Sequence, residues 1–252
     1  MAVKQDKYIL PSLFLIIIWA VYVVFQALYR RKTVDIVIAR YEEDISWVNT
    51  LQIKYSNIYI YNKGSDFTIA NLPNIHVIKL PNIGRESHTY LYHVINNFNT
   101  LPDMTIFIPG SVLAIDYKRE KFFKLMKSLN HHFESTIVGD INKEANDTLK
   151  DFTIDTYKIT NENNRRKNPN ENLEKSKYRP FGKWFETHFP GEKLTCVSYN
   201  GIIAATRKSI QKRSLDFYKT LLDEHSTPNP EVVHYSERAW ETIFSIDKCV
   251  PV

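Results

Sequence analysis

Glycine is scarce in this chain of 252 residues, at seven positions, and none of the seven builds a Gly-rich phosphate loop. A His-Glu-x-x-His helix and a Gly-x-Ser-x-Gly elbow are also missing, which removes zincin-type and hydrolase-type serine chemistry from consideration. Cysteine occurs twice, at Cys196 and Cys249, too few for a four-ligand metal site. The two could form a disulfide, but lone cysteines far apart in sequence are more often reduced core residues. With a single N-glycosylation sequon, Asn146-Asp147-Thr148, the balance favours a reducing compartment. Nor is there a concentrated charge of one sign. The net charge is +5, dispersed along the chain, so no nucleic-acid partner is expected. What is present, 43% hydrophobic and 24% charged residues, is the composition of a folded chain with one main domain and an appendage.

The appendage is legible at the start. Residues 1–8 read as a tail, and Ile9 to Tyr29 is an uncharged run of 21 residues, whereas roughly 20 suffice to cross a bilayer core. No small-residue cleavage site follows it, so the reading is a retained transmembrane helix contacting a lipid membrane through residues 9–29. Arg30, Arg31 and Lys32 after the run slightly outweigh Lys4 and Lys7 before it, which places the remaining domain, 33–252, on the cytosolic side.

That domain alternates strand and helix patterns. Val34–Ala39 is a near-continuous β-branched run, as in a strand buried on both faces; Ser56–Tyr61, Asn74–Leu80 and Thr105–Ile108 follow as further strands. Helical patterns fall at Ile45–Lys54, Asp116–Leu129, Lys208–Glu224 and Glu231–Phe244, and further strands at Thr136–Val138 and Ser198–Thr206. A polar, Asn-rich stretch near 161–177 reads as an insertion. The expected fold is α/β, a mostly parallel doubly wound sheet behind one N-terminal transmembrane helix.

Leu80–Ser111 organises the rest: an Asn-Ile-Gly turn, a helix, a break at Leu-Pro-Asp, then the fourth strand ending at Pro109-Gly110. Along the helix Leu91, Val94, Ile95 and Phe98 make an apolar stripe, while Glu86, Tyr90, His93 and Asn97 make a polar one. Its start, with Asn82, Gly84 and Arg85, could seat a phosphate on free N–H groups. Equally, Arg85 and Glu86 could simply pair in the first turn, with His88 and His93 satisfied locally. Glu42, Glu43 and Asp44 form the densest carboxylate cluster behind a buried strand; Glu42 and Asp44 are candidate ligands for a divalent cation, Mg or Mn, or else an acidic helix start. In the last helix Glu237 could serve as a general base if burial raised its pKa, or it could be a structural partner of Arg238.

The same stretches carry a resemblance. Ile36 to Trp47, the motif Asn82-x-Gly84-Arg85-Glu86-Ser87-His88-Thr89-Tyr90-Leu91-Tyr92-His93, and His234-Tyr235-Ser236-Glu237-Arg238-Ala239-Trp240 resemble an uncharacterised glycosyltransferase-like family of fungi, algae and large DNA viruses. The resemblance implies a glycosyltransferase-like, nucleotide-sugar-binding α/β fold with no assigned reaction; together with the apolar run at 9–29 the reading is a membrane-anchored glycosyltransferase-like enzyme. Glu237, Glu86 and His88 would be catalytic; Arg40, Asn82, Gly84, Arg85, His93 and Arg238 would bind substrate. Two positions depart from the family pattern: Glu42 stands where it has Asn, and Pro109-Gly110 where it has Gln-Gly. No Asp-x-Asp metal motif follows the fourth strand, the next carboxylate being Asp116. These departures motivate an alternative: a structural protein of a viral membrane or virion, a minor capsid protein with a degenerate enzyme-like domain that contacts capsid or other virion proteins.

Overall fold

β-Branched and aromatic runs with no polar alternation dictate strands covered on both sides, and the sheet is built from them. The computed structural model describes Trp19 and residues 32–50, 56–156 and 173–252. Strands β1 (Val34–Arg40), β2 (Asn57–Asn62), β3 (Ile75–Lys79) and β4 (Met104–Pro109) run parallel in the order β3-β2-β1-β4. Beyond β4 the order continues with β7 (Ile203–Thr206) and β5 (Thr136–Ile141); β6 (Cys196–Val197) and β8 (Lys248–Pro251) also pair with β5.

The sheet is therefore mixed, which corrects the mostly parallel expectation. β7 runs antiparallel to both of its neighbours, β4 and β5. β6 is also antiparallel to β5, so the chain keeps one direction from β6 through residues 198–202 into β7 and runs back along β5.

Side-chain alternation along each strand assigns the faces. Val37, Ala39, Phe107, Ile203 and Ala205 point to one side, packed under α1 (Arg85–Asn97), α4 (Phe181–His188), α6 (Leu215–Glu224) and α7 (Val232–Ile243). Ile36, Ile38, Ile106, Ile108 and Ala204 point to the other, covered by α2 (Asp116–His131) through Phe122 and Leu125 and by a short 3-10 turn, Ser46–Thr50, through Val48. The first face is aromatic: Tyr90, Trp240 and Phe244 converge on Phe107, and each such ring buried contributes on the order of 2 kcal/mol. Two short helices, α3 (Ala145–Leu149) and α5 (Arg207–Ile210), complete the set among the described residues. The long pattern read over Lys208–Glu224 is thus divided, because Ser214 caps a new helix by accepting from the Phe217 N–H.

The expected transmembrane helix is not supported: among the described residues no helix is long and apolar enough to cross a membrane. Positions 9–29, Trp19 apart, lie outside the described residues, as do 161–172 of the polar insertion. Residues Met1–Lys32 and Thr33–Val252 are separate units.

The cysteines do not stay reduced. β8, which the sequence pattern did not reveal, pairs parallel with β5 and brings Cys249 within 6.0 Å (Cα–Cα) of Cys196, and the two are joined as a disulfide. The bridge closes a separation of 53 residues, a loop whose closure is worth about 4 kcal/mol in the unfolded-chain entropy picture. Replacing both cysteines by alanine is expected to lower the unfolding free energy by about that amount. Denaturant titration of the two proteins measures it; equal midpoints would show that the cross-link does not form.

Candidate functional site

In a sheet ordered β3-β2-β1-β4 the chain reverses direction of winding between β1 and β4, and the crevice outside their carboxyl ends is where such sheets receive ligands. Three chain segments meet there: the loop after β1, the start of α1, and the 198–202 connection facing α7.

The loop after β1 is held from within. Arg40 is buried and donates from Nε to the Glu43 carbonyl (3.0 Å) and from Nη1 to the carbonyls of Tyr41 (2.9 Å) and Ser65 (2.9 Å) and to Asn62 Oδ1 (2.7 Å). It lies over the Phe67 ring at 4.2 Å. Its hydrogen-bonding capacity goes to shaping the loop. Glu42 accepts from the Ser65 N–H (2.9 Å) and hydroxyl, which hold its exposed carboxyl below the usual range. Asp44 accepts from the Ser46 N–H (2.8 Å) and hydroxyl (3.1 Å), with the same effect, and so starts the 3-10 turn. A depression of about 260 Å³ separates these side chains from Phe67 and Thr68. Their oxygens are engaged by serines, and among the described residues no group of three His, Cys, Asp or Glu is placed to hold a metal ion. The donor set does not fit a bound cation. Glu43 lines the same depression and accepts from the Tyr41 N–H on Oε2 (2.7 Å), close to Gly110 at the end of β4, where a Cβ would come 3.0 Å from that oxygen.

The start of α1 is a strained turn. Gly84 has φ 55°, its N–H donates to the Thr227 carbonyl (2.9 Å), and any Cβ there would collide with the His225 carbonyl. Arg85 follows at φ 48°, in the left-handed region that costs an L residue about 1 kcal/mol. Lys63 holds the turn, donating from its buried ammonium to the carbonyls of Ile83 (2.6 Å) and Arg85. Burial pushes Lys63 down to about 8, against the charge of Glu86. Asn82 is exposed just before the turn and supplies no cap.

What this turn delivers is a set of unsatisfied charges. Arg85 and Glu86 are half-buried, and among the described residues neither side chain has a hydrogen bond or an ion pair within 4.0 Å. Glu237 of α7 stands beside them, 21% exposed, accepting one hydrogen bond on Oε1 from the Asn200 N–H (2.9 Å). Its carboxyl is pushed up, first by burial and then by the neighbouring charge of Glu86, with Arg238 and Arg85 opposing. Arg238 reaches Glu237 at 4.0 Å but is directed to the His234 carbonyl (2.7 Å) and lies 3.8 Å over Phe152. Tyr90 anchors the group from below: its hydroxyl donates to the Gly201 carbonyl (2.8 Å).

The histidines stand behind this rim. His88 is buried and stacked on Tyr92, its imidazole pushed down to about 4 by burial and by the charges of Lys63 and His225. His93 lies in the aromatic core, 3.0 Å from the Tyr61 hydroxyl, and burial takes it down to about 3. His234 falls to about 3 through burial, with Arg85 and Arg238 adding to the effect.

The structure thus brings Arg85, Glu86, Glu237 and Arg238 together and keeps Arg40, Glu42 and Asp44 as a separate loop. His93 belongs to the core. Sequence reading passed over Lys63 and the Asn200-Gly201 turn, running a strand from Ser198 through it. An Asn-Gly pair inside an apparent strand is itself a break signal.

A raised carboxyl beside a second, unpaired carboxylate and an unpaired arginine can move protons and receive an anion. Comparison with solved structures finds similarity to a Francisella tularensis 2-C-methyl-D-erythritol 4-phosphate cytidylyltransferase, at 11% identity over 87% of this chain and 90% of that one, with a TM-score of 0.39. A CMP:2-keto-3-deoxy-manno-octonic acid synthetase complexed with CTP is similar at 12% identity over 88% and 90%, with a TM-score of 0.36. No curated protein matches. The expected virion or capsid role finds no support in the family match. A protein-family model does match residues 36–251, nearly the whole of the described sheet and its helices, and the chain belongs to the family described as "Protein of unknown function (DUF3431)".

Proposed function

We propose that this chain is a glycosyl-transferring enzyme that takes a nucleotide-sugar donor at the carboxyl ends of β1 and β4. The observation that carries the reading is the rim of Arg85, Glu86 and Glu237, where two half-buried charged side chains have no partner among the described residues. Leaving such charges unsatisfied opposes folding, so their persistence points to a ligand that completes them.

In this reading Arg85 receives the donor's diphosphate, helped by the first N–H groups of α1. The acceptor hydroxyl gives its proton to the Glu237 carboxylate as its oxygen bonds to the anomeric carbon, and the nucleoside diphosphate leaves with the electron pair of the broken bond. Burial and Glu86 make Glu237 a stronger base than an ordinary carboxylate, while the Asn200 N–H fixes its orientation. His88 supports the helix start in its neutral form. No step runs through a cation, since Glu42 and Asp44 are engaged elsewhere.

Calorimetric titration of the full chain with uridine, guanosine and cytidine nucleotide-sugars tests the proposal. At least one is expected to bind saturably, and Arg85→Ala to weaken it roughly tenfold. Absence of binding across the panel, or a folded Arg85→Ala protein with unchanged affinity, rejects the reading.

A further inference from the structure

A positive φ is uncommon outside glycine, and a residue that adopts one asks for a reason. Asn200, on the connection between β6 and β7, has φ 83°. Asparagine tolerates this region because its short side chain can hydrogen-bond to nearby backbone. That reason is missing here. The residue is half-buried, yet among the described residues its carboxamide neither donates nor accepts a hydrogen bond. Glycine would satisfy the turn equally well, and one stands next in the chain.

The contacts of the turn place Asn200 beside two carboxylates. Its N–H donates to Glu237 Oε1 at 2.9 Å. Gly201, at φ 61°, accepts from the Tyr90 hydroxyl at 2.8 Å. A Cβ on Gly201 would come 3.2 Å from Glu86 Cγ and 3.1 Å from Tyr90 Cε2, so the bare glycine lets the Glu86 stem pack on the turn. Two consecutive residues thus touch Glu237 of α7 and Glu86 of α1. Glu86 accepts no hydrogen bond among the described residues. A carboxylate offers only acceptors, whereas a carboxamide offers both N–H donors and a carbonyl. Together they match hydroxyl groups on adjacent carbons, since a hydroxyl accepts from the amide while donating to a carboxylate. An anionic acceptor would meet like charge on Glu86.

We propose that Asn200 is a specificity-determining residue that selects a neutral acceptor with vicinal hydroxyls, a sugar or other polyol, by binding the hydroxyl next to the one that Glu237 deprotonates. Asn200 donates from Nδ2 to this second hydroxyl, which in turn donates to Glu86. The role given to Glu237 rests on the glycosyl-transfer reading; the free carboxamide and its place beside the two carboxylates do not.

The test follows the Gly201 backbone amide of the isotope-labelled full chain by NMR, with uridine diphosphate present throughout. The probes are methyl α-mannoside, methyl α-glucoside and the single alcohol cyclohexanol. At least one glycoside is expected to shift the signal saturably, and cyclohexanol to leave it in place. Asn200→Gly keeps the N–H that holds Glu237 and suits the φ of the turn. It is therefore expected to match the wild-type denaturation midpoint while weakening glycoside binding about tenfold. A lower midpoint would make the carboxamide a structural group and overturn the inference. So would no glycoside binding by wild type, an equal shift from cyclohexanol, or undiminished glycoside affinity in Asn200→Gly. If glycosides bind in an Asn200-dependent way while every nucleotide-sugar fails, the polyol site stands and the transfer reading falls. If a nucleotide-sugar binds while Asn200→Gly leaves glycosides unimpaired, the transfer reading stands and this one falls.

Discussion

Glu237→Gln is expected to slow transfer from whichever nucleotide-sugar binds by roughly 100- to 10,000-fold, the usual worth of a positioned general base. Donor affinity should be unchanged, since the amide keeps the side chain's shape and its acceptor for the Asn200 N–H. The base acts only when deprotonated, and its carboxyl is raised by burial and then by Glu86. Activity is therefore expected to fall as pH drops through a value above the ordinary carboxylate range. Glu86→Gln removes the second cause, so the acid limb of the rate profile should move to lower pH while maximal turnover stays closer to wild type than in Glu237→Gln. Release of nucleoside diphosphate, followed across pH for the three proteins, checks both statements. A Glu237→Gln enzyme turning over at the wild-type rate removes Glu237 from the chemistry.

The parts of the fold that could be read in advance are those where one residue pattern admits one structure. Val34–Arg40 and Met104–Pro109 are apolar on both faces, so they could only be central strands, and so they are. The apolar stripe of Leu91 and Val94 set α1 on the sheet in the expected orientation. β7 defeated the pattern because strand direction is not written in side-chain periodicity. β8 was invisible for a different reason. Lys248–Pro251 is short, half-exposed and ends in proline, and it is a strand only because β5 has an open edge and Cys196 a sulfur to join. In the rim, the approach of Glu86 to Glu237 was legible as two polar motifs of unusual density. Which carboxylates would be occupied was not. Glu42 and Asp44 look identical to Glu86 in sequence, and only the serines at positions 65 and 46 distinguish them.

Acidification is expected to destabilise the protein steeply, beginning near pH 6.5 and continuing to about pH 4. Four histidines are buried in neutral form: His93 and His234 are taken down to about 3, His88 and His225 to about 4, each chiefly by burial. Neighbouring cations add to this at His234, which faces Arg85 and Arg238, and at His88, which faces Lys63, whereas at His225 the Leu221 carbonyl and Glu224 oppose the burial. His225 is held in place by donating Nδ1–H to the Leu221 carbonyl (2.6 Å) and accepting from the Ser236 hydroxyl (2.8 Å). A folded-state pKa below the unfolded one gives stability that is present above the unfolded value and lost as pH falls toward the folded value. Each histidine then contributes a slope of about 1.4 kcal/mol per pH unit within that window. Glu237 acts in the opposite sense, its raised carboxyl favouring the fold as it protonates, but it is one group against four. Denaturant midpoints at pH 7, 6 and 5 measure the net slope. His93→Phe isolates one contribution: the Tyr61 hydroxyl loses its partner, lowering stability at pH 7 by about 1 kcal/mol, while the slope flattens by one histidine's share. Stability that stays level from pH 7 to pH 5 would mean that these imidazoles accept protons inside the fold, and that the neutral interior described here is wrong.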